Sequence, residues 1–130
     1  MKRSLNLAVL GIDHGHIFDM LDEMIKEGCN CNHFWTEGSP LTLNEFNKKY
    51  PNIKRVENKS EILKDNKIDM ILISSIPKDR ATLSIEALKS GKDVMVDKPG
   101  CTTLNQLDDL RRTVKETGKI WSVNFSERFH

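Results

Sequence analysis

The chain has two polar turns whose residue types suit chemistry, and the first reads GIDHGH at residues 11–16. An apolar run precedes it and a helical pattern follows it, so backbone N–H groups and the positive helix end could face a phosphate. Dinucleotide-binding proteins use a G-x-G-x-x-G turn for this purpose. Here Gly11 occupies the first glycine position, Asp13 and His16 occupy the second and third, and Gly15 lies between them.

Asp13 argues against a phosphate at this turn. A carboxylate about 4 Å from a phosphate costs on the order of 4 kcal/mol at an effective dielectric constant of about 20, so its side chain must turn away or affinity falls. His14 and His16 could donate hydrogen bonds to a phosphate, and imidazole with carboxylate also suits several divalent metals. Two histidines two residues apart in a loop are a weak metal signal. We therefore expect a modified dinucleotide turn, with Gly15 replacing part of the missing glycine's role, and no metal.

Glu37 is the acidic residue that follows the second apolar segment, in FWTEGSP at residues 34–40. In dinucleotide-binding folds a carboxylate about 20 residues beyond the first turn accepts hydrogen bonds from the ribose hydroxyls and repels a 2′-phosphate. No arginine immediately follows Glu37 to meet such a phosphate. The residue therefore favours NAD over NADP, and the alternative interpretation is a solvated loop glutamate.

The second turn, DKPG at residues 97–100, directly follows the apolar run VMV. Pro99 disfavours helical geometry at Lys98 and permits a cis peptide between the two residues. A lysine fixed at this edge can hydrogen-bond a substrate hydroxyl and lower its pKa while a hydride is removed. For an isolated Lys-Pro pair, the alternative is a surface lysine in a turn.

Apolar segments alternate with helical patterns along the whole chain. Strands are predicted near residues 5–10, 31–36, 53–56, 69–76, 92–97 and 119–125. Helices are predicted between them, with Gly28, Gly91 and Gly118 as stop signals and a capping box at Thr103 and Gln106. This alternation predicts an α/β fold with a doubly wound parallel sheet, in one domain over residues 1–130. Ligands of such sheets bind beyond the carboxyl ends of the strands, where both turns fall.

Charge and composition narrow the class of partner. Twenty basic and nineteen acidic residues among 130 leave a formal net charge of +1, which gives no electrostatic reason to expect nucleic acid or an anionic membrane. No apolar stretch approaches the roughly 18 residues of a membrane span, and the N-terminus lacks a signal-peptide pattern. Three cysteines do not make a disulfide framework, so we expect a cytoplasmic protein.

The cysteines themselves are interpreted as structural. Cys29, Cys31 and His33 alternate as on one face of a strand, without the turns and fourth ligand that a zinc site needs. Buried core cysteines explain them better. Cys101 follows the second turn and has no adjacent base in the sequence.

The sequence resembles the nucleotide-binding half of the glucose–fructose oxidoreductase / inositol 2-dehydrogenase / MocA family over essentially all 130 residues. The best segments are residues 58–100 and 116–129. The family's E-K-P motif corresponds to Asp97, Lys98 and Pro99, and its lysine is catalytic, which the resemblance carries to Lys98. SSIP, with Ser74, Ser75 and Pro77, resembles the family's turn bordering the nicotinamide, and SERF resembles the ending of strand six.

The resemblance implies a Rossmann-type NAD(P)-binding domain of an oxidoreductase. The reaction would be hydride transfer between a sugar-like or cyclitol-like alcohol and nicotinamide, in a protein expected to be a homo-oligomer. Family members continue into a second α/β domain that supplies substrate contacts and a catalytic histidine, so we expect this chain to be the cofactor half and inactive alone. Because the first turn departs from the family pattern, a non-catalytic nucleotide-binding or regulatory module is the alternative.

Overall fold

A short apolar strand lies at the centre of the fold in the computed structural model, which describes residues 4–124. The described elements, in chain order, are β1 (Asn6–Leu10), α1 (His16–Lys26), β2 (Asn30–Trp35), α2 (Leu43–Lys49), β3 (Lys54–Arg55), α3 (Ser60–Leu63), β4 (Met70–Ile73), α4 (Pro77–Lys89), β5 (Asp93–Asp97), α5 (Leu104–Thr117) and β6 (Trp121–Asn124).

The strands form one sheet in the order β3-β2-β1-β4-β5-β6. Every neighbouring pair is parallel. The chain adds β2 and β3 on one side of β1 and then crosses back to add β4 on the other side, so the strand order reverses between β1 and β4. A crevice opens at the carboxyl ends of the strands at such a reversal. The predicted doubly wound Rossmann-type α/β fold is confirmed.

Helices cover both faces of the sheet, and β1 shows why its sequence is a continuous apolar run. Leu7 and Val9 pack on one face with residues of α1 and α2, while Ala8 and Leu10 pack on the other with residues of α3, α4 and α5. All four side chains are buried. Burying a large aliphatic side chain contributes about 1.5–3 kcal/mol, so both faces stabilise the strand from which the first turn departs.

The fourth strand is shorter than its sequence predicts. The apolar pattern predicts residues 69–76, whereas β4 ends at Ile73, the last residue paired with both β1 and β5. The backbone N–H of Ser74 then donates to the carbonyl of Gly11 over 3.1 Å. Residues 74–76 therefore form a turn at the carboxyl edge instead of extending the sheet.

The capping box of α5 is also displaced. The Thr103 side chain accepts from the backbone N–H of Gln106 over 3.1 Å, as predicted. The Gln106 side chain, however, accepts from the N–H of Thr102 over 2.7 Å, one residue earlier than a capping box requires. Both bonds still satisfy donors at the start of the helix.

The cysteines lie where an unreactive role is expected. Cys29, Cys31 and Cys101 are free and half-buried. Burial raises the pKa of the Cys31 thiol to about 12, so this thiol is protonated at neutral pH and is a poor metal ligand. None of the helices described between residues 4 and 124 is long and apolar enough to cross a membrane.

Candidate functional site

Gly11 joins the ends of three strands at the first turn. Its N–H donates to the carbonyl of Trp35 over 2.7 Å and its carbonyl accepts from Ser74. Its φ is +89°, and a Cβ here would lie 2.5 Å from the Cβ of Ser75. Only glycine fits this position without displacing the turn after β4.

Gly15 differs from Gly11 in that it lies in open space at the start of α1. It precedes α1, which begins at His16, and the backbone N–H of His16 donates to Nδ1 of His14 over 3.2 Å. Nothing lies within 4 Å of the point where a Cβ at Gly15 would stand. The space beside Gly15 is therefore open, while the backbone N–H groups of His16 and Ile17 already donate to His14.

A pocket of about 450 Å³ opens beside this turn, and we call it the acidic pocket. Its walls include Gly11, Asp13, Trp35, Glu37, Ser75 and Asp79. These residues come from the turn after β1, the end of β2, the turn after β4 and the first turn of α4. The pocket thus occupies the crevice at the strand-order reversal, with an aromatic wall and hydrogen-bonding groups suited to a nucleoside.

Three carboxylates share the acidic pocket. Burial raises the pKa of Asp13, and the nearby charges of Asp79 and Glu37 act in the same direction, while backbone hydrogen bonds oppose them. Lys59 also lines the pocket. Its Nζ forms an ion pair with Glu86 at 2.8 Å. The pocket is therefore better suited to hydroxyl and amine donors than to an additional anion.

Arg55 is a neighbour of Glu37 that local sequence did not reveal. The parallel register of β2 and β3 pairs it with Phe34. Its Nη2 donates to the carbonyls of Thr36 and Gly38 over 2.9 and 2.6 Å. Arg55 and Glu37 line a second pocket of about 500 Å³. A guanidinium thus lies beside Glu37, and the absence of an arginine directly after Glu37 in the sequence does not decide between NAD and NADP.

The residues on the other side of the first turn form the Asp97 cluster, which consists of His14, His16, Ser74, Arg80 and Asp97. The Asp97 side chain is fully buried at the end of β5. Its Oδ1 lies 3.0 Å from Nδ1 of His16. Its Oδ2 accepts from the Ser74 hydroxyl over 3.2 Å and lies 3.5 Å from Nδ1 of His14. The cluster joins the ends of β1, β4 and β5.

Arg80 is the member of the Asp97 cluster that sequence reasoning missed. It is 1% exposed, and its guanidinium donates to the carbonyls of Ser75, Asp97 and Pro99 over 2.7, 3.2 and 3.3 Å. Burial lowers the pKa of Arg80 and the Asp97 carboxylate opposes this change. Its burial could have been inferred from its helical spacing relative to Ser84 and Ala87, because this spacing places all three residues on the buried face of α4.

The predicted site residues therefore separate into two groups at one edge. Gly11, Asp13, Glu37 and Ser75 line the acidic pocket, while His14, His16, Ser74 and Asp97 form the second group. Half-buried Lys98 follows Asp97 and is joined to Pro99 by a cis peptide, as the sequence permitted. Pro77 begins α4 at an exposed position. The SERF segment, residues 126–129, lies outside the described residues.

Comparison with known families explains this arrangement. The model of the glucose–fructose oxidoreductase, inositol dehydrogenase and MocA proteins, described as an oxidoreductase family with an NAD-binding Rossmann fold, matches residues 11–125. The chain belongs to this family. The resemblance noted from the D-K-P and SSIP motifs is confirmed, and with it an NAD(P)-binding oxidoreductase fold.

Individual relatives agree with the family. The scyllo-inositol 2-dehydrogenase (NAD(+)) of Bacillus subtilis is 34% identical over 73 residues, which are 56% of this chain and 21% of that protein. The crystal structure of a proposed oxidoreductase from Erwinia carotovora atroseptica superposes with a TM-score of 0.92 at 34% identity, covering 96% of this chain and 37% of that one. The chain therefore spans well under half the length of these relatives.

A more distant structure shows the fold alone. Biliverdin reductase from Synechocystis, in complex with biliverdin and NADP+, superposes with a TM-score of 0.80 at 19% identity. The match covers 92% of this chain and 37% of that one. Proteins of this fold therefore include one that holds NADP+, and the fold alone does not fix the choice of dinucleotide.

Proposed function

We propose that this chain binds NAD along the carboxyl edge of its sheet and acts in hydride transfer to or from a sugar-like or cyclitol-like alcohol. One observation carries the proposal. The strand-order reversal brings the Gly11 turn, Glu37 and the Asp97-Lys98-Pro99 turn to the same edge, beside a pocket of about 450 Å³. The name of the Bacillus relative, scyllo-inositol 2-dehydrogenase, supports the substrate class.

The residues present fit the dinucleotide in part. Trp35 and Glu37 offer an aromatic wall and a carboxylate for the adenosine half, and open space at Gly15 lets a pyrophosphate approach the start of α1. His14 and His16 stand at the same turn as further donors. Asp13 opposes the pyrophosphate, so we expect weaker affinity than a glycine-rich turn provides.

The choice of NAD rests on charge. A 2′-phosphate would enter beside Glu37 in a pocket that Asp13 and Asp79 already make acidic. Arg55 is the residue that could offset this, but its Nη2 already donates to two backbone carbonyls. We expect calorimetric titration to give at least tenfold tighter binding of NADH than of NADPH. Equal or tighter NADPH binding would contradict this, and Arg55→Gln would show whether the guanidinium had turned to the phosphate.

Lys98 is the proposed proton-transfer residue. When bound, the nicotinamide supplies the acceptor or donor of the hydride. Lys98 hydrogen-bonds the reacting hydroxyl and moves its proton, while Arg80 holds the Asp97 and Pro99 carbonyls on either side of it. In a protein that also carries the family's second domain, we expect Lys98→Met to lower kcat about 10²–10⁴-fold with inositols or hexoses and to leave the Kd for NADH within twofold. A matched Lys89→Met change, on the exposed end of α4, should alter neither quantity.

The non-catalytic module is the second candidate, and the observation that favours it is Asp13, which stands where a glycine-rich turn would have its second glycine. A turnover that is undetectable with every polyol, together with tight nucleotide binding, would establish it. The 130-residue chain is not sufficient for such a test, because chemistry needs the substrate about 3–3.5 Å from the nicotinamide with water excluded. One sheet edge supplies a single wall, so we expect no polyol-dependent NADH production from this chain alone.

A further inference from the structure

The two turn histidines and Asp97 bring metal-ligating atoms together. Within residues 4–124, they are the group of three ligating side chains whose donor atoms all lie within 4.8 Å of one another. Oδ2 of Asp97 lies 3.2 Å from Nδ1 of His16 and 3.5 Å from Nδ1 of His14. The sequence alone offered two histidines in one loop, and the fold adds a carboxylate from β5.

Both separations between Asp97 Oδ2 and a histidine Nδ1 are compatible with atoms that share one ion. Zinc binds imidazole nitrogen and carboxylate oxygen at about 2.0–2.2 Å, so its ligands lie about 3.0–3.5 Å apart in octahedral or tetrahedral geometry. Both nitrogen-to-oxygen distances in the cluster fall in this range. A cation bound here would replace the hydrogen bonds that the Nδ1 atoms of both histidines now make.

The Nδ1 lone pair of His14 takes part in a hydrogen bond that a cation would have to replace. Its Nδ1 accepts from the backbone N–H of His16 over 3.2 Å, so this nitrogen carries a lone pair in the neutral ring. The same nitrogen faces Oδ2 of Asp97 at 3.5 Å. Two electron-rich atoms at this distance repel each other, and either a proton or a metal ion between them removes the repulsion.

The surroundings combine a fixed carboxylate with open access. Ser74 donates to the carboxylate of Asp97, and Arg80 holds its backbone carbonyl. The histidine side chains are 51% and 32% exposed, so an ion can reach them from solvent. The Arg80 guanidinium lies 3.7 Å from Oδ2 and weakens the attraction for a cation, which sets the expected affinity well below that of a closed structural site.

We infer that His14, His16 and Asp97 form a binding site for one divalent transition-metal ion of the zinc class. Imidazole nitrogen favours zinc and its neighbours over calcium and magnesium, which take oxygen ligands. Three protein ligands leave at least one coordination position for water or an anionic ligand. The inference does not depend on nucleotide binding or on catalysis, because it concerns the protein without its cofactor.

The test uses untagged, metal-free protein titrated with Zn²⁺ by calorimetry and with Co²⁺ by visible absorption. We expect one ion per chain and a Co²⁺ ligand-field band. His14→Ala and His16→Gln should each weaken binding at least tenfold, while His33→Gln on β2 should bind as the wild type does. The last variant also removes the histidine that could join Cys29 and Cys31 in a competing site.

Three results would overturn the inference. They are an absence of stoichiometric binding, equal binding by the wild type and His14→Ala, and loss of binding in His33→Gln. His14 is half-exposed, so its variant decides the question even if changes at buried Asp97 unfold the protein. A failed metal titration accompanied by intact NADH binding would reject the metal site and leave the proposed function standing. Stoichiometric metal binding without NADH binding would support the metal site and contradict the proposed function.

Discussion

The acidic pocket and the Asp97 cluster lie side by side at the carboxyl edge of the sheet, yet charge is arranged in opposite ways in the two. In the cluster a fully buried carboxylate meets a hydroxyl, an imidazole and a guanidinium. In the pocket three carboxylates face one another, and Lys59 is paired with Glu86. A buried charge is tolerated only with partners. The cluster is therefore the preorganised part of the edge, whereas the carboxylates of the acidic pocket are half-buried or exposed and can accept hydrogen bonds from water or from a ligand.

The largest expected effect on stability comes from removing the buried guanidinium of Arg80, which tests whether the Asp97 cluster is preorganised. Arg80→Met removes the guanidinium donor from three backbone carbonyls and the guanidinium charge from beside the Asp97 carboxylate. Breaking a buried ion pair costs about 3–5 kcal/mol. We expect a loss of this size in the free energy of unfolding, measured by urea denaturation monitored by circular dichroism.

The matched control for Arg80→Met is Arg112→Met. Arg112 is exposed on α5 and pairs with Asp109 at 3.2 Å. An exposed pair of this kind contributes about 0–1 kcal/mol, so this variant should unfold close to the wild type. If Arg80→Met lowered the free energy of unfolding by less than about 1 kcal/mol, the Asp97 cluster would not be the preorganised part of the edge.

Alanine substitutions at Gly11 and Gly15 test which part of the first turn is tightly packed and which part is open. At Gly11 a methyl group would meet Ser75 at 2.5 Å on a backbone with φ of +89°. We expect Gly11→Ala to cost about 2–4 kcal/mol in the free energy of unfolding, from strain and overpacking combined. Gly15→Ala meets nothing within 4 Å and should cost less than about 1 kcal/mol.

The two alanine variants should also differ in their effect on NADH binding relative to their effect on stability. If the pyrophosphate approaches the backbone at Gly15, then Gly15→Ala should weaken NADH binding while it leaves stability nearly unchanged. Equal destabilisation by both substitutions would contradict the division of the turn into a packed half and an open half.

The smallest expected effect concerns the charge of the acidic pocket. Asp13→Asn removes one of the three carboxylates while it keeps the side-chain shape, so an anionic cofactor should bind more tightly. Because Asp13 is only half-buried and can turn away, we expect a gain of about tenfold in NADH affinity, or about 1.4 kcal/mol. Calorimetric titration measures it, with Asp108→Asn on the exposed face of α5 as the control. Unchanged affinity would show that Asp13 does not face the phosphates.

Most of the fold could be predicted from local patterns. The apolar runs identify the strands, and the glycine stop signals at the ends of α1 and α5 agree with the observed helix ends. The limits of β4 could not be predicted, because Ile73 and Ser74 are both followed by residues compatible with a strand. Pairing with β1 and β5 stops at Ile73, and the N–H of Ser74 donates to Gly11, contacts that depend on the tertiary structure.

The sequence predicted which residues lie at the candidate site, but it could not predict which of their side chains contact each other. Sequence placed His16 and Asp97 at the carboxyl edge, since each stands next to a strand end. It could not show that their side chains meet, because no local pattern relates residues 81 positions apart. Arg55 was hidden for the same reason, since only the register of β2 with β3 brings it beside Glu37.

The separation of His16 and Asp97 also sets the order of events while the protein is being made. The two residues are 81 positions apart, and synthesis proceeds at about 5–20 residues per second, so the carboxylate appears about 4–16 s after the histidine. During that interval β1, α1 and β2 can form while β5 has not yet been synthesised. A ligand that requires both side chains can therefore be captured only late, after β5 has joined the sheet beside β4.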